Sequence, residues 1–309
     1  MTHKTLVVTN CTSRKRLGAS PVAFENSSAF RSLNHVASDW LRRRRGANCL
    51  LPAHSLYVGR AFSEALAVAG LLKAELSVVS AGMGLVSGSD LLPNYDATIS
   101  SPNSALSLAL ASVNATPAQW WTALHSGEAP LAARIERCQQ VCLVAMPSTY
   151  FDLVADDLIR LPAAAAQRLR LFTSMAGRHL VPRHLAHCVM PYDERLEGSE
   201  YAGTRNDFPQ RAMTHFVRAL GAHQRPLADA RRAVAVAMER LVAPVLPKRS
   251  KKSDEELISL LMRGWRTCGG NSARLLRYLR DDMRVQCEQS RFRDLMKVVR
   301  TRLLAQEAA

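Results

Sequence analysis

The chain has 309 residues, of which 48% are hydrophobic, and a formal net charge of +15. That length and apolar content allow one sizeable α/β domain with a small appendage, and they exclude wholesale disorder. No apolar run approaches the roughly 18–20 residues of a membrane span, and no leader-like succession opens the chain, so a cytoplasmic location without membrane attachment is expected.

The first element is an apolar run, Leu6 to Thr9, that ends in Asn10, Cys11, Thr12 and Ser13 and then Arg14-Lys15-Arg16. It reads as a buried strand with a polar, cationic loop at its carboxyl end, where open α/β sheets bind ligands. Four arginines, Arg42 to Arg45, follow Asp39-Trp40-Leu41. "AFSEALAVAGLL", Ala61 to Leu72, has helical composition and leads into a second strand, Leu76 to Ser80. After it, "SAGMGLVSGSDLLPNYD" has Ser80, Gly82 and Gly84 to let the backbone approach a ligand, and reaches Tyr95-Asp96.

Trp120-Trp121 read as packing for a helix against the sheet. Further strands are expected at Val141–Ala145, Leu169–Thr173 and Cys188–Met190, with helices over Asp152–Leu161 and Pro209–Leu220. Strands alternating with helices indicate a mainly parallel sheet flanked by helices. The third strand runs into Met146-Pro147-Ser148. A later stretch, "YAGTRNDFPQRA", puts Gly203 to Asp207 at a helix start, where anions are attracted and Asp207 can act as the cap. His187 and His215 lie near these clusters but have no partner visible in the sequence, so structural roles are expected.

Near residue 245 the composition changes. "PVLPKRSKKSDEE" reads as a linker, and the domains are placed at 1–245 and 246–309. Ser253 with Glu256 forms a capping-box pattern, Asn271 can cap a second helix, and a third begins near Glu288. From Lys248 onward fifteen basic side chains face eight acidic ones. A small all-α, helix-turn-helix-like domain that binds nucleic acid is expected. Its contacts would come from Arg274, Arg277, Arg291, Arg293 and Lys297, with Arg42, Arg43 and Arg44 adding to the basic surface.

Seven scattered cysteines, including Cys49, form no zinc pattern; buried thiols and no structural metal are expected. Neither dinucleotide nor P-loop glycine fingerprint occurs, and no nucleophile elbow, which argues against a nicotinamide dehydrogenase, a P-loop ATPase and a serine hydrolase. A pocket of amides, hydroxyls, carboxylates, arginines and tyrosines remains, chemistry that suits a heterocyclic base and its phosphates.

In order, "VVTNCTSRKR", "LYVGRAFSEA", "LSVVSAGMGLVSGSDLLPNYDATI" and "GTRNDFPQRA" resemble one family pattern over roughly residues 5–220. The pattern is similar to the bacterial and phage domain related to the peroxide-stress protein family and to an accessory domain of archaeosine synthases, relatives of the uracil-DNA-glycosylase-like α/β fold. The resemblance implies an anti-phage DNA glycosylase, similar to enzymes acting on glucosylated hydroxymethylcytosine, with double-stranded modified DNA as partner and with no cofactor or obligate protein partner. It places Asn10 at the position that orients the attacking water. Met146-Pro147-Ser148 matches a His-Pro-Ser loop but lacks the histidine.

On that basis Asp96 or Asp207 would supply the carboxylate that an oxocarbenium-like state needs. Arg14, Arg60 and Arg205 would hold phosphate or base substituent, and Cys11, Ser13, Tyr57, Ser80, Met83, Tyr95 and Ser148 would line the base pocket. No activated lysine stands out in the inferred pocket, so a monofunctional hydrolase is expected. The alternatives are a non-enzymatic DNA-binding stress or regulatory protein and an accessory subunit of base exchange.

Overall fold

The computed structural model describes residues 5–16, 21–24, 30–47, 50–245 and 249–307. The chain divides into two compact units, 1–244 and 245–309, each with its own buried apolar cluster. Residues 246–248 of the expected linker, and Cys49, lie outside the described residues. No described helix is long and apolar enough to cross a membrane.

The first unit is built on a five-stranded sheet. Its strands are β1 (Leu6–Asn10), β2 (Glu75–Ser80), β3 (Gly84–Ser87), β4 (Cys142–Ala145) and β5 (Leu169–Phe172), in spatial order β3-β2-β1-β4-β5. All neighbours are parallel except the β2–β3 hairpin at one edge. The centre of the sheet is buried on both faces, which is why Leu6-Val7-Val8 and Cys142-Leu143-Val144-Ala145 are unbroken apolar runs rather than alternating ones.

Four helices of this unit position the site: α1 (Leu33–Arg45), α2 (Arg60–Leu72), α3 (Pro117–Leu124) and α4 (Phe208–Arg218). Helix α1 starts at Ser32, whose hydroxyl accepts from His35 N, and ends in the four arginines, a charge its dipole favours there. A Thr116–Gln119 capping box opens α3, and Pro117 sits at its first turn. Helices α2 and α4 pack together and both point their N-termini towards the carboxyl edge of the sheet.

Two expected elements differ. Cys188–Met190 is not a strand of this sheet: residues Arg183–Cys188 form a 3₁₀ turn, and a single bridge joins Val189 to Leu171. The Asp152–Leu161 helix is two short ones, Ser148–Leu153 and Ala155–Arg160, broken at Val154, where ψ is +19°.

In the second unit, α5 (Asp254–Gly264), α6 (Ser272–Arg277, continuing as a wider turn through Asp282) and α7 (Gln289–Glu307) surround Leu257, Leu261, Leu275, Leu279 and Val299. Ser253 and Glu256 cap α5 reciprocally, and the Asn271 side chain accepts from Ala273 N and Arg274 N.

Candidate active site

Strands β2 and β4 flank β1 and leave it in opposite directions, so the sheet's topological switch lies between β1 and β4, the place where such sheets open a crevice. One side chain occupies that point. Gln210, in the first turn of α4, is fully buried, and its amide donates to Thr9 Oγ1 (3.1 Å), Asn10 Oδ1 (2.9 Å) and Ala145 O (2.9 Å). Asn10 in turn donates to Cys11 O at 2.8 Å. Its amide plane is therefore fixed, with one lone pair of Oδ1 left to accept a further bond. The Gln210 carbonyl oxygen is buried without a partner among the described residues.

Beside this lies a run of hydroxyls. Ser80 Oγ accepts from Gly82 N (3.2 Å) and Met83 N (2.9 Å), so its own hydrogen goes to Tyr95 Oη, 2.6 Å away. Tyr95 Oη is also 2.7 Å from Tyr57 Oη. Three hydroxyl hydrogens serve two contacts, and Ser80 has no acceptor capacity left, so among the described residues one phenolic hydrogen is surplus. Burial pushes both phenols well above their ordinary range, with the Cys11 thiol acting in the same direction, so both stay protonated donors. Cys11 Sγ lies 3.0 Å from Tyr150 Oη.

The Ser80–Met83 turn is held from outside by two indoles: Trp40 donates to Gly82 O (2.5 Å) and Trp120 to Ala81 O (2.7 Å). The glycines here admit protein side chains rather than a ligand. A Cβ on Gly82 would stand 2.8 Å from the Tyr95 ring, and one on Gly84, where φ is +76°, 2.5 Å from the His125 ring. That is a correction to their expected role.

Lys15 completes the cluster. Residues 14–16 are pinned to 56–58 by Val58 N donating to Arg14 O (3.2 Å) and Arg16 N donating to Leu56 O (2.9 Å). The Lys15 ammonium then sits 4.0 Å from the centre of the Tyr95 ring. Burial lowers its pKa, against the opposing pull of Cys11 and Asp96. Asp96 itself is exposed, on the two-residue strand Tyr95–Asp96 beside Val22–Ala23.

Asp207 is placed differently from Asp96. Its Oδ1 accepts from Thr204 N (2.9 Å) and from Arg211 Nε (2.7 Å). Arg211 is wholly buried and also donates to Glu197 Oε1 (2.7 Å), Thr204 O (2.7 Å) and Tyr201 O (2.5 Å). This carboxylate is a cap and counter-ion that shapes the 197–207 segment, and it reaches Arg60 only at 4.0 Å. Arg60 also approaches Glu64 (3.5 Å), which accepts from Thr214 Oγ1.

Of the expected pocket residues, Asn10, Cys11, Tyr57, Ser80 and Tyr95 are brought together, and Met83 joins them through its backbone. Ser13, Arg14 and Arg205 are exposed, Arg60 is half-exposed, and Ser148 opens the helix that carries Tyr150. Lys15, Tyr150 and Gln210 belong to the cluster although the sequence pattern does not point to them. Lys15 and Tyr150 stand in or next to the polar stretches that follow β1 and β4, whereas nothing local marks Gln210, whose partners are about 65 and 200 residues distant.

The arginine run does not form one uniform patch. Arg42 and Arg43 pair with Asp39, and Arg44 folds inward, donating to Met83 O at 3.3 Å. Arg44 is thus a support of the Ser80–Met83 turn. In the second unit Arg274, Arg277 and Arg293 are exposed, Lys297 pairs with Asp294 (3.0 Å), and Arg291 is drawn to Asp254 (2.6 Å) and to Lys252 O. No protein-family model, no curated protein and no solved structure matches the chain.

Proposed function

We propose that the protein is a DNA glycosylase that excises a modified base, glucosylated hydroxymethylcytosine, from phage DNA. The observation that carries this reading is the cluster of Asn10, Cys11, Lys15, Tyr57, Ser80 and Tyr95 at the carboxyl ends of β1 and β2, beside the switch point, rich in donors and built without a glycine phosphate loop.

Breaking a base–sugar bond makes two charges, a cation at the sugar and an anion on the departing base. Asp96, exposed at the edge of the cluster, is the carboxylate suited to the cation. The surplus phenolic hydrogen of the Tyr57–Tyr95 pair is suited to the base, whose carbonyl gains negative charge as the bond lengthens. It does the work for which Met146-Pro147-Ser148 has no histidine. The exposed Arg14 and Arg205, with Arg60 between them in chain order, offer forks for phosphates. The helical second unit, with Arg274, Arg277 and Arg293 exposed, is read as a helix-turn-helix-like DNA binder that offsets the few kcal/mol needed to flip a base.

The test is incubation of the full chain with glucosylated-hydroxymethylcytosine phage DNA and with unmodified DNA, following free base by mass spectrometry. Release from the modified DNA alone is expected. Tight, salt-sensitive binding with no release from either would overturn the reading in favour of a non-enzymatic DNA-binding protein.

A further inference from the structure

We propose that Lys15 is the nucleophile of this site: its amine attacks C1′ of the deoxyribose and holds the sugar as a Schiff base, so that base excision is followed by cleavage of the strand. The inference rests on the glycosylase reading for its substrate but on separate observations for the residue.

The first observation is placement. Lys15 leaves the loop that follows the central strand, and backbone bonds on both sides of it pin that loop to residues 56–58. Its ammonium is held over the Tyr95 ring at 4.0 Å, beside the hydroxyl cluster and in the field of Cys11 and Asp96. A tethered amine at the reacting centre gains the advantage of proximity that a lysine swinging in solvent lacks.

The second is the state of the amine. Only a neutral amine attacks carbon, and desolvation is the usual means by which a lysine is made nucleophilic. Lys15 is desolvated, and this outweighs the opposing fields of Cys11 and Asp96. Other described lysines have different settings: Lys73 is exposed at the end of α2, Lys251 is exposed, Lys252 pairs with Glu256, and Lys297 pairs with Asp294. The expectation of a monofunctional enzyme drew on the lack of such a lysine, and that ground is removed.

The steps balance without an oxidant. The Lys15 nitrogen bonds to C1′ as the C1′–N bond to the base breaks, and the base leaves with the bonding pair and takes up the proton lost by the amine. Water donates a proton to O4′ as the nitrogen lone pair expels the C1′–O4′ bond, which opens the sugar ring and gives the C1′=N iminium. Asp96, the exposed carboxylate beside Lys15, takes a proton from C2′. The C3′–O bond breaks, and the phosphate leaves with the pair. Water finally adds to the imine, returning the free amine and leaving an unsaturated aldehyde on the 5′ fragment.

The experiment uses the full chain with two DNAs in the presence of cyanoborohydride, which reduces a Schiff base to a stable adduct. One is a duplex oligonucleotide with a preformed abasic site, the other glucosylated-hydroxymethylcytosine phage DNA. The expected result is a covalent protein–DNA adduct on both, mapped by peptide mass spectrometry to Lys15. Lys15→Met should lower the adduct yield at least tenfold while DNA affinity is retained. Base release without an adduct at Lys15 would overturn the inference and leave the glycosylase reading standing. An adduct at Lys15 on the abasic duplex with no base release from phage DNA would sustain the inference and overturn that substrate. An adduct spread over the C-terminal lysines, or none on either DNA, would overturn the role of Lys15.

Discussion

Tyr95 is where the contacts of the site converge. Its hydroxyl lies between Ser80 and Tyr57, its ring lies under Lys15, and its edge fills the space that a glycine leaves at position 82. Tyr95→Phe strands two buried hydroxyls without their shared partner, so we expect a loss of about 1–3 kcal/mol in urea denaturation and a sharp fall in base release. His125 gives a pH signature. Its Nε2 accepts from Leu85 N at 3.2 Å, which requires the neutral ring, and burial together with nearby Arg44 holds its pKa at about 4. The unfolded chain takes up that proton near pH 6.5 and the folded one only near 4. Stability from this group is therefore full above about pH 6.5 and declines as pH falls towards 4, by up to about 1.4 kcal/mol per pH unit. His125→Gln should flatten that part of a stability–pH curve. Asn10, Cys11 and Ser80 were legible in sequence because polar groups closing an apolar run fall at a strand's carboxyl end, whereas Tyr95, 15 residues beyond Ser80, was reached only through the longer segment and the family resemblance. Lys15 was not, because it stands between two arginines and only the pairing of residues 14–16 with 56–58 turns it inward.

At the scale of elements, the central strands were legible because burial on both faces makes them continuous apolar runs. Cys188–Met190 has the same composition but follows a 3₁₀ turn and makes only one bridge, a distinction that no local pattern carries. The Asp207 carboxylate shows the same limit. A cap at a helix start and an i,i+4 pair with Arg211 were legible from the sequence, whereas the enclosure of Arg211, which fixes the carboxylate as structural, depends on Glu197 and Tyr201 folding back over the helix. Arg211→Met removes the charge that Asp207 and Glu197 share inside the fold. We expect a loss of about 3–5 kcal/mol, read as a lower denaturation midpoint, with the 197–207 segment becoming the fastest region in hydrogen exchange.

For the whole molecule, the positive charge is shared between two units with separate cores, and the proposed function assigns them separable tasks. If the exposed Arg274, Arg277 and Arg293 contact phosphates as proposed, neutralising all three should weaken binding to modified and unmodified DNA alike. The dependence of log K on log salt should become shallower by about 0.9 for each phosphate that the variant no longer neutralises. The most direct measurement is single-turnover base release from glucosylated-hydroxymethylcytosine DNA at saturating protein, comparing the wild type, Tyr95→Phe and the triple arginine variant. Tyr95→Phe is expected to slow release at unchanged affinity, while the arginine variant needs more protein but reaches the wild-type rate. Release that is indifferent to Tyr95 but abolished at saturation in the arginine variant would overturn the role given to the tyrosine cluster.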